Sequence, residues 1–260
     1  MDNVNRTLYI PLYGKSMVSG MGILLHDPKA QEIWASCGFP LKGKSGSKWL
    51  AYYMGMRSAV FDRWLTKALA ENPGAAVLHL GCGLDSRVLR VKHEGHLWFD
   101  VDFPAVMEER SLHYQQTEQD RMLSSDLREE KWLREIPDGP VIVVMEGVSM
   151  YLQREELETL LSRITSRFRR VALLMDCYTE FAAKASKYKN PINDVGVTQV
   201  YGYDDPEILT DNNPLRFLGE GDMTPDDLIR QLPRKDQWIF RILYAGSIAR
   251  KMYRLYEYQT

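Results

Sequence analysis

The chain reads as an α/β fold, a doubly wound, mostly parallel sheet preceded by a helical N-terminal cap. Three observations carry that reading. From residue 75 onward, apolar β-branched runs alternate with amphipathic segments. The first run, Val77-Leu78-His79-Leu80, ends in the turn Gly81-Cys82-Gly83. The next three runs lead directly into acids, at Asp102, Asp126 and Glu146. In open parallel sheets ligands bind at the carboxyl ends of the strands, so these acids stand where a site is expected.

In chain order, residues 1–74 read as helical. Asp27-Pro28 is an N-cap with proline at the first helical position, and Gly38 is a stop. Residues 43–47 form a Gly/Ser/Lys loop. A long helix follows over residues 48–70, stopped by Asn72-Pro73-Gly74. Leu50, Met54, Phe61, Trp64 and Ala68 form its apolar stripe, and Arg57 lies on the same stripe. An unpaired buried guanidinium is costly. Arg57 therefore snorkels, sits in a structural ion pair, or clamps a ligand carboxylate with its bidentate fork.

Strand one covers residues 76–80, and a helical segment follows the glycine turn over residues 85–91. Backbone N–H groups point outward at such a turn, where a nucleotide-like ligand approaches closely. Glycine serves there because a Cβ would block the ligand or forbid the turn. Strand two covers residues 96–101, and Asp102 falls nineteen residues after Gly83. An acid at that offset can accept both hydroxyls of a ribose. Asp100 alternates with Asp102, so one faces the ligand and the other a structural partner.

Pro104 opens a helix to about residue 115. A weak strand at residues 122–125 ends at Asp126-Leu127, which reads either as an adenine contact or as a helix cap. Residues 141–145 are a strand buried on both faces, and an acid directly after it, Glu146 before Gly147, points to a ligand. Tyr151 brings a hydroxyl toward the same cleft, whereas His79, inside a buried strand, reads as a packed core histidine. The helix at 155–168 ends in Arg163, Arg167, Arg169 and Arg170, which suit its dipole. Strand five covers residues 171–176.

Beyond it the pattern weakens. A helix is expected at 181–188, an inserted loop at 190–214 and a strand at 215–219. Thr224 reads as the cap of a short helix, and another helix covers 236–244. A last strand at 250–258 places Met252, Tyr256 and Tyr258 on one face.

The chain has 260 residues and a formal net charge of −2, which leaves no electrostatic footprint for nucleic acid. No run is long enough for a membrane span, and the N-terminus lacks the pattern of a signal peptide. Cys37, Cys82 and Cys177 have no metal-ligand spacing and read as reduced thiols of a cytoplasmic protein, with no metal expected.

Five motifs now converge. They are Thr7-Leu8-Tyr9-Ile10-Pro11-Leu12, His26-Asp27-Pro28-Lys29-Ala30, Leu80-Gly81-Cys82-Gly83-Leu84-Asp85-Ser86-Arg87, Asp100-Val101-Asp102-Phe103-Pro104 and Glu146-Gly147-Val148-Ser149-Met150-Tyr151-Leu152. In this order the chain resembles the leucine carboxyl methyltransferase-like family of S-adenosylmethionine-dependent O-methyltransferases, in its short bacterial, tetracenomycin-type polyketide branch. The resemblance implies a class I, Rossmann-like methyltransferase fold in one domain over residues 1–260. Residues 1–74 would form the cap, 75–176 the cofactor-binding core, and 177–260 an inserted segment and the end of the fold. It also implies S-adenosylmethionine as cofactor and S-adenosylhomocysteine as product.

The resemblance further implies that Arg57 holds the methionine carboxylate of the cofactor, against which Gly81 and Gly83 lie. Asp102 would take the ribose, Asp126 and Leu127 the adenine, and Glu146 would stand near the methionyl group. Cys82, Phe103, Ser125 and Gly147 adjoin these residues and complete the expected cofactor set. Ser86 stands where the family usually has Thr.

The acceptor expected is a small, polyketide-like molecule methylated on a carboxylate or a phenolic hydroxyl, by a monomer or homodimer. A carboxylate, with a pKa near ~4, needs no base, whereas a phenol near ~10 profits from one. No histidine in the motifs is placed to serve as that base, which favours the carboxylate. Lys15 and Tyr13 are candidates to orient the acceptor, and Tyr151 to line its pocket; Lys15 could instead meet the cofactor carboxylate. Competing readings are a protein carboxyl methyltransferase, an NAD(P)-dependent oxidoreductase and a non-catalytic binding protein. The oxidoreductase fingerprint wants a third glycine where Ser86 stands.

Overall fold

The computed structural model describes residues 5–41, 43–186, 199–246, 249 and 251–260. Three helices come first: α1 (Tyr9–Gly20), α2 (Pro28–Cys37) and α3 (Lys48–Glu71). The Asp27 side chain accepts from the Ala30 N–H at 2.9 Å, and Gly38 closes α2 in the left-handed region at φ 59°. Ser47 caps α3 through the Leu50 N–H at 3.3 Å. Close approach fixes how α1 crosses α3. A Cβ on Gly14 would lie 2.6 Å from Met54 Cβ, and one on Gly55 2.5 Å from Val18 Cγ2.

The sheet follows. Its strands are β1 (Ala76–Leu80), β2 (Trp98–Asp102), β3 (Asp120–Ser124), β4 (Val141–Met145), β5 (Val171–Tyr178), β6 (Arg216–Glu220) and β7 (Tyr253–Gln259). Their order is β3-β2-β1-β4-β5-β7-β6, with β1 to β5 parallel and β7 running antiparallel to both β5 and β6. The strand order reverses between β1 and β4, so their carboxyl ends open a crevice there. Alternation along β4 explains its uninterrupted apolar sequence: Ile142 and Val144 enter the core on one face, Val141, Val143 and Met145 that on the other.

Short helices fill the connections: α4 (Arg87–Arg90), α5 (Pro104–Ser111), α6 (Arg154–Arg167), α7 (Glu180–Ser186), α8 (Asp226–Ile229) and α9 (Arg234–Phe240). Several expectations are corrected. The segment expected as a helix over 85–91 is one turn, because the Arg87 side chain turns inward and is fully buried. The helix from Pro104 ends at Ser111, where Tyr114 drops inward to donate to the Leu84 carbonyl at 2.9 Å. Thr224 does not cap α8: its backbone N–H donates to Asp222 Oδ1 at 2.9 Å, and Pro225 holds the cap position. Met252 precedes β7 and packs against the core opposite the one that takes Tyr256 and Tyr258. The helix from 236 to 244 divides into α9 and a π-helical turn at Arg241–Ala245. Residues 187–188 of the expected helix, 190–198 of the expected loop and residue 250 of the expected strand lie outside the described residues.

Candidate functional site

Above the carboxyl ends of β1, β2 and β4, closed over by α1 and α3, lies a cavity of about 910 Å³. That volume sits at the upper end of small-ligand sites. Arg57, Gly81, Cys82, Gly83, Asp102, Phe103, Ser125, Asp126, Leu127, Glu146, Gly147, Tyr151 and Lys15 all line it. Tyr13 does not. It leans on Trp34 at 5.1 Å between ring centres and donates to the Gly46 carbonyl at 3.3 Å, which removes it from the acceptor candidates.

The turn after β1 is built for close approach. Gly81 has φ +64°, and a Cβ there would lie 2.3 Å from Val148 Cγ2. Its N–H donates to the Val101 carbonyl at 2.8 Å, which locks the turn to β2. Arg110, from α5, donates to the Gly83 carbonyl at 3.0 Å and the Asp85 carbonyl at 2.7 Å, pinning the far side of the turn. Beside it Asp102 accepts from the Gly83 N–H at 2.8 Å and the Phe103 N–H at 2.7 Å. Burial outweighs these two donors and pushes the Asp102 carboxyl up to about 6. A buried carboxylate in that state lacks donors, and a pair of vicinal hydroxyls would supply them.

Asp100, one pleat away, faces inward. It accepts from His79 Nδ1 at 2.9 Å and from Trp98 Nε1 at 2.8 Å, and it pairs with Arg110. His79 Nε2 stands 3.1 Å from Arg87 Nη1, which can only donate. The imidazole is therefore neutral with its proton on Nδ1, and burial keeps its pKa below the ordinary range. It is a structural bridge and is not placed to take a proton from a ligand.

Asp126 is held by the Arg128 guanidinium through bonds of 3.0 Å or less and accepts the Arg128 N–H at 2.9 Å. Those bonds hold it below its usual range while leaving it about a quarter exposed toward the cavity. Leu127 is buried next to it, and the Ser125 N–H donates to the Asp102 carbonyl at 2.9 Å.

The opposite wall is an ion network. Arg57 Nε donates to Glu146 Oε1 at 3.0 Å, and Nη1 to Asp176 Oδ2 at 3.1 Å and Tyr253 Oη at 3.3 Å. The structural ion pair weighed from the sequence is thus present, with two carboxylates around one guanidinium. Glu146 also accepts from Ser58 Oγ at 2.9 Å and pairs with Arg87. Burial pushes the Glu146 carboxyl up, but Arg87 and Arg57 outweigh it and bring it down to about 2. Arg87 continues to Asp62 at 2.7 Å, Asp62 to Arg90 at 2.9 Å, and Arg90 to Asp27 at 2.7 Å. Ser86 donates to Asp27 and accepts from Arg90 at 2.8 Å, so its hydroxyl ties α2 to the sheet. Lys15 reaches Asp85 Oδ2 at 3.1 Å, beside the glycine turn.

Four further lining residues, and Asp176 behind them, escaped sequence reasoning. Asp176 follows the apolar run 171–175 in sequence as Glu146 follows 141–145, the same signal, although β5 continues past it; it accepts the Gly147 N–H at 2.6 Å, and burial holds its carboxyl above the usual range. Tyr53 stands four residues before Arg57, on the same helical face. Tyr178 lies just beyond Asp176 at the end of β5. Tyr253 reaches the cavity only through the return of the chain along β5, and Tyr244 from the π-helical turn before it, which no local pattern announces.

The strand order, the antiparallel β7 and the glycine turn facing Asp102 together define a class I methyltransferase. A putative methyltransferase from Thermobifida fusca superposes with a TM-score of 0.56 at 12% identity, covering 95% of this chain and 94% of that one. Magnesium protoporphyrin IX methyltransferase from Synechocystis, solved with bound S-adenosylhomocysteine, gives 0.54 at 16% identity, covering 94% and 96%. Leucine carboxyl methyltransferase is the family whose model matches, over residues 11–165. The tetracenomycin polyketide synthesis O-methyltransferase TcmP of Streptomyces glaucescens is 31% identical over 205 residues, which are 78% of this chain and 76% of that protein. An S-adenosyl-L-methionine-dependent methyltransferase of Gibberella zeae, dpfgK, is 32% identical over 187 residues, 66% of this chain and 63% of that protein. The chain belongs to the leucine carboxyl methyltransferase family. Its cofactor is S-adenosylmethionine. Among the described residues no cluster of side chains could hold a metal ion, and no helix is long and apolar enough to cross a membrane.

Proposed function

We propose that the protein methylates an oxygen, specifically the carboxylate, of a small aromatic, polyketide-like acceptor. The observation that carries this reading is the aromatic half of the cavity. Past Arg57 it is lined by Tyr53, Tyr151, Tyr178, Tyr244 and Tyr253. Burial pushes the Tyr53, Tyr151, Tyr244 and Tyr253 phenols above their ordinary range, so at neutral pH they are donors and not bases. Two further titratable groups at this wall are equally unsuited to deprotonating a phenol. His79 is neutral with both nitrogens engaged, and Glu146 is held ionised by two guanidiniums. An acceptor that arrives already ionised fits such a pocket, and a carboxylate does so at neutral pH. The polyketide synthesis named for TcmP supports a polyketide-like acceptor.

The residues present fit the cofactor. The donor-poor carboxylate of Asp102 suits the ribose hydroxyls, Asp126 and Leu127 suit the adenine, and Arg57 suits the methionine carboxylate. Glu146 then serves the methionyl end by holding Arg57 in place. When bound, S-adenosylmethionine supplies an electrophilic methyl on a sulfonium, which keeps the electron pair of the broken carbon–sulfur bond. The chain itself aligns the acceptor oxygen and keeps water out.

Initial rates of methyl transfer to 1-naphthoate and 1-naphthol between pH 5 and 9, with S-adenosylmethionine saturating at every pH, test the reading. A carboxylate acceptor gives a rate flat above about pH 5, whereas a phenol gives one that climbs toward ~10. Turnover of 1-naphthol alone, rising with pH, would move the reaction to a hydroxyl.

A further inference from the structure

Tyr253 stands where the two halves of the cavity meet. Its hydroxyl accepts from Arg57 Nη1 at 3.3 Å, and its own proton is aimed at the Met150 thioether at 3.9 Å, a weak acceptor. Its ring is wedged edge-on against Tyr178, with centres 4.6 Å apart at 83°, and against Tyr53 at 6.0 Å and 69°. The register Tyr178↔Tyr253 between antiparallel β5 and β7 fixes its backbone. An O–H that accepts from a guanidinium is polarised toward stronger donation. Here that donor is held rigidly on the cavity wall with a poor acceptor in front of it.

Building on the carboxyl reading above, we propose that Tyr253 is the specificity-determining residue of the acceptor site, donating its hydroxyl to one oxygen of an acceptor carboxylate. The chemistry separates acceptor classes. A carboxylate gives one oxygen to Tyr253 and keeps the other for the methyl. A phenol has a single oxygen, which would have to serve both purposes, and a hydrogen bond on that oxygen draws away the electron density it needs to attack. Tyr253 therefore favours carboxylates and penalises phenols. Arg57 links this choice to the cofactor end, since one guanidinium touches both Tyr253 and the carboxylates of Glu146 and Asp176.

The experiment is calorimetric titration of 1-naphthoate and 1-naphthol into wild type and Tyr253→Phe, each saturated with S-adenosylhomocysteine, with the affinity for S-adenosylhomocysteine measured separately. The variant should lose about ten- to hundred-fold in naphthoate affinity, the range of a hydrogen bond to a charged group. Naphthol should change by less than about threefold, and S-adenosylhomocysteine should bind as before. Unchanged naphthoate affinity in the variant, with wild type binding normally, overturns the role given to Tyr253 and leaves carboxyl methylation standing. Weakened S-adenosylhomocysteine binding makes Tyr253 a prop for Arg57 and overturns it too. Wild type that binds naphthol and not naphthoate, or neither, defeats the carboxyl reading and this inference with it.

Discussion

Cofactor affinity should depend on pH through Asp102. Burial holds this carboxyl at about 6 although two backbone N–H groups already donate to it. Hydroxyls donating to it favour the ionised form, so binding expels a proton wherever the free protein holds one. At pH 8 nearly all of the free protein is ionised. At pH 5 about nine-tenths is protonated, and affinity for S-adenosylhomocysteine should be about tenfold weaker. Asp102→Asn should abolish that slope, and Asp102→Ala should lower affinity by roughly 2–4 kcal/mol at pH 8. The ligand-free protein carries the complementary signature. Its folded-state pKa lies above the unfolded one, so between about 4 and 6 the folded chain keeps a proton that the unfolded chain has released. Stability from this group therefore falls as pH rises through that window, by about 3 kcal/mol. Calorimetry from pH 5 to 8, with denaturation of both proteins from about pH 4 to 8, reads both effects. A flat affinity profile in wild type, or an equal slope in Asp102→Asn, would refute the reasoning.

Three other expectations follow from the same geometry. Glu146→Gln leaves Arg57 and Arg87 buried against a neutral amide and should cost about 3–5 kcal/mol, seen as a Tm lower by roughly 10 °C. Because the Glu146 carboxyl is depressed to about 2, its contribution is complete above the unfolded pKa near 4.5 and is lost as pH falls toward 2; the variant should lack that acid limb. Gly81→Ala meets both φ +64° and the Val148 contact, so it should lose about 3 kcal/mol in urea denaturation. Val148→Ala in that background should return only the contact part, and complete recovery would mean the backbone is not strained. Lys15→Ala, which frees Asp85 from one of its cations, should lower S-adenosylhomocysteine affinity about tenfold. Lost turnover with cofactor binding intact would instead place Lys15 at the acceptor.

Local chemistry makes much of this molecule legible in its sequence. The glycine turn, the β-branched strand at Val141–Met145, the Asp27-Pro28 cap and the offset from Gly83 to Asp102 each follow from backbone sterics or strand geometry within a few residues. Arg57 was conspicuous because a guanidinium on an apolar stripe demands an anion, and the structure supplies two. Sequence reasoning failed where distant segments compete for one group. Arg87 reads as part of an ordinary helix over residues 85–91, yet Glu146 and Asp62 draw it inward and that helix is cut to one turn. Tyr13 sits near Lys15 in sequence, but Trp34 and Gly46 take it away from the cavity.

The sequence by itself therefore determined the parallel sheet and the acids at its strand ends, because periodicity and turn sterics act over short range. Only the tertiary structure decided which of those acids are saturated by guanidiniums and which, like Asp102, are left short of donors. It alone also brought Tyr253 against Tyr178 and Arg57. That juxtaposition depends on β7 returning antiparallel beside β5, a pairing set by packing across the whole core and not by any residue near Tyr253 in the chain.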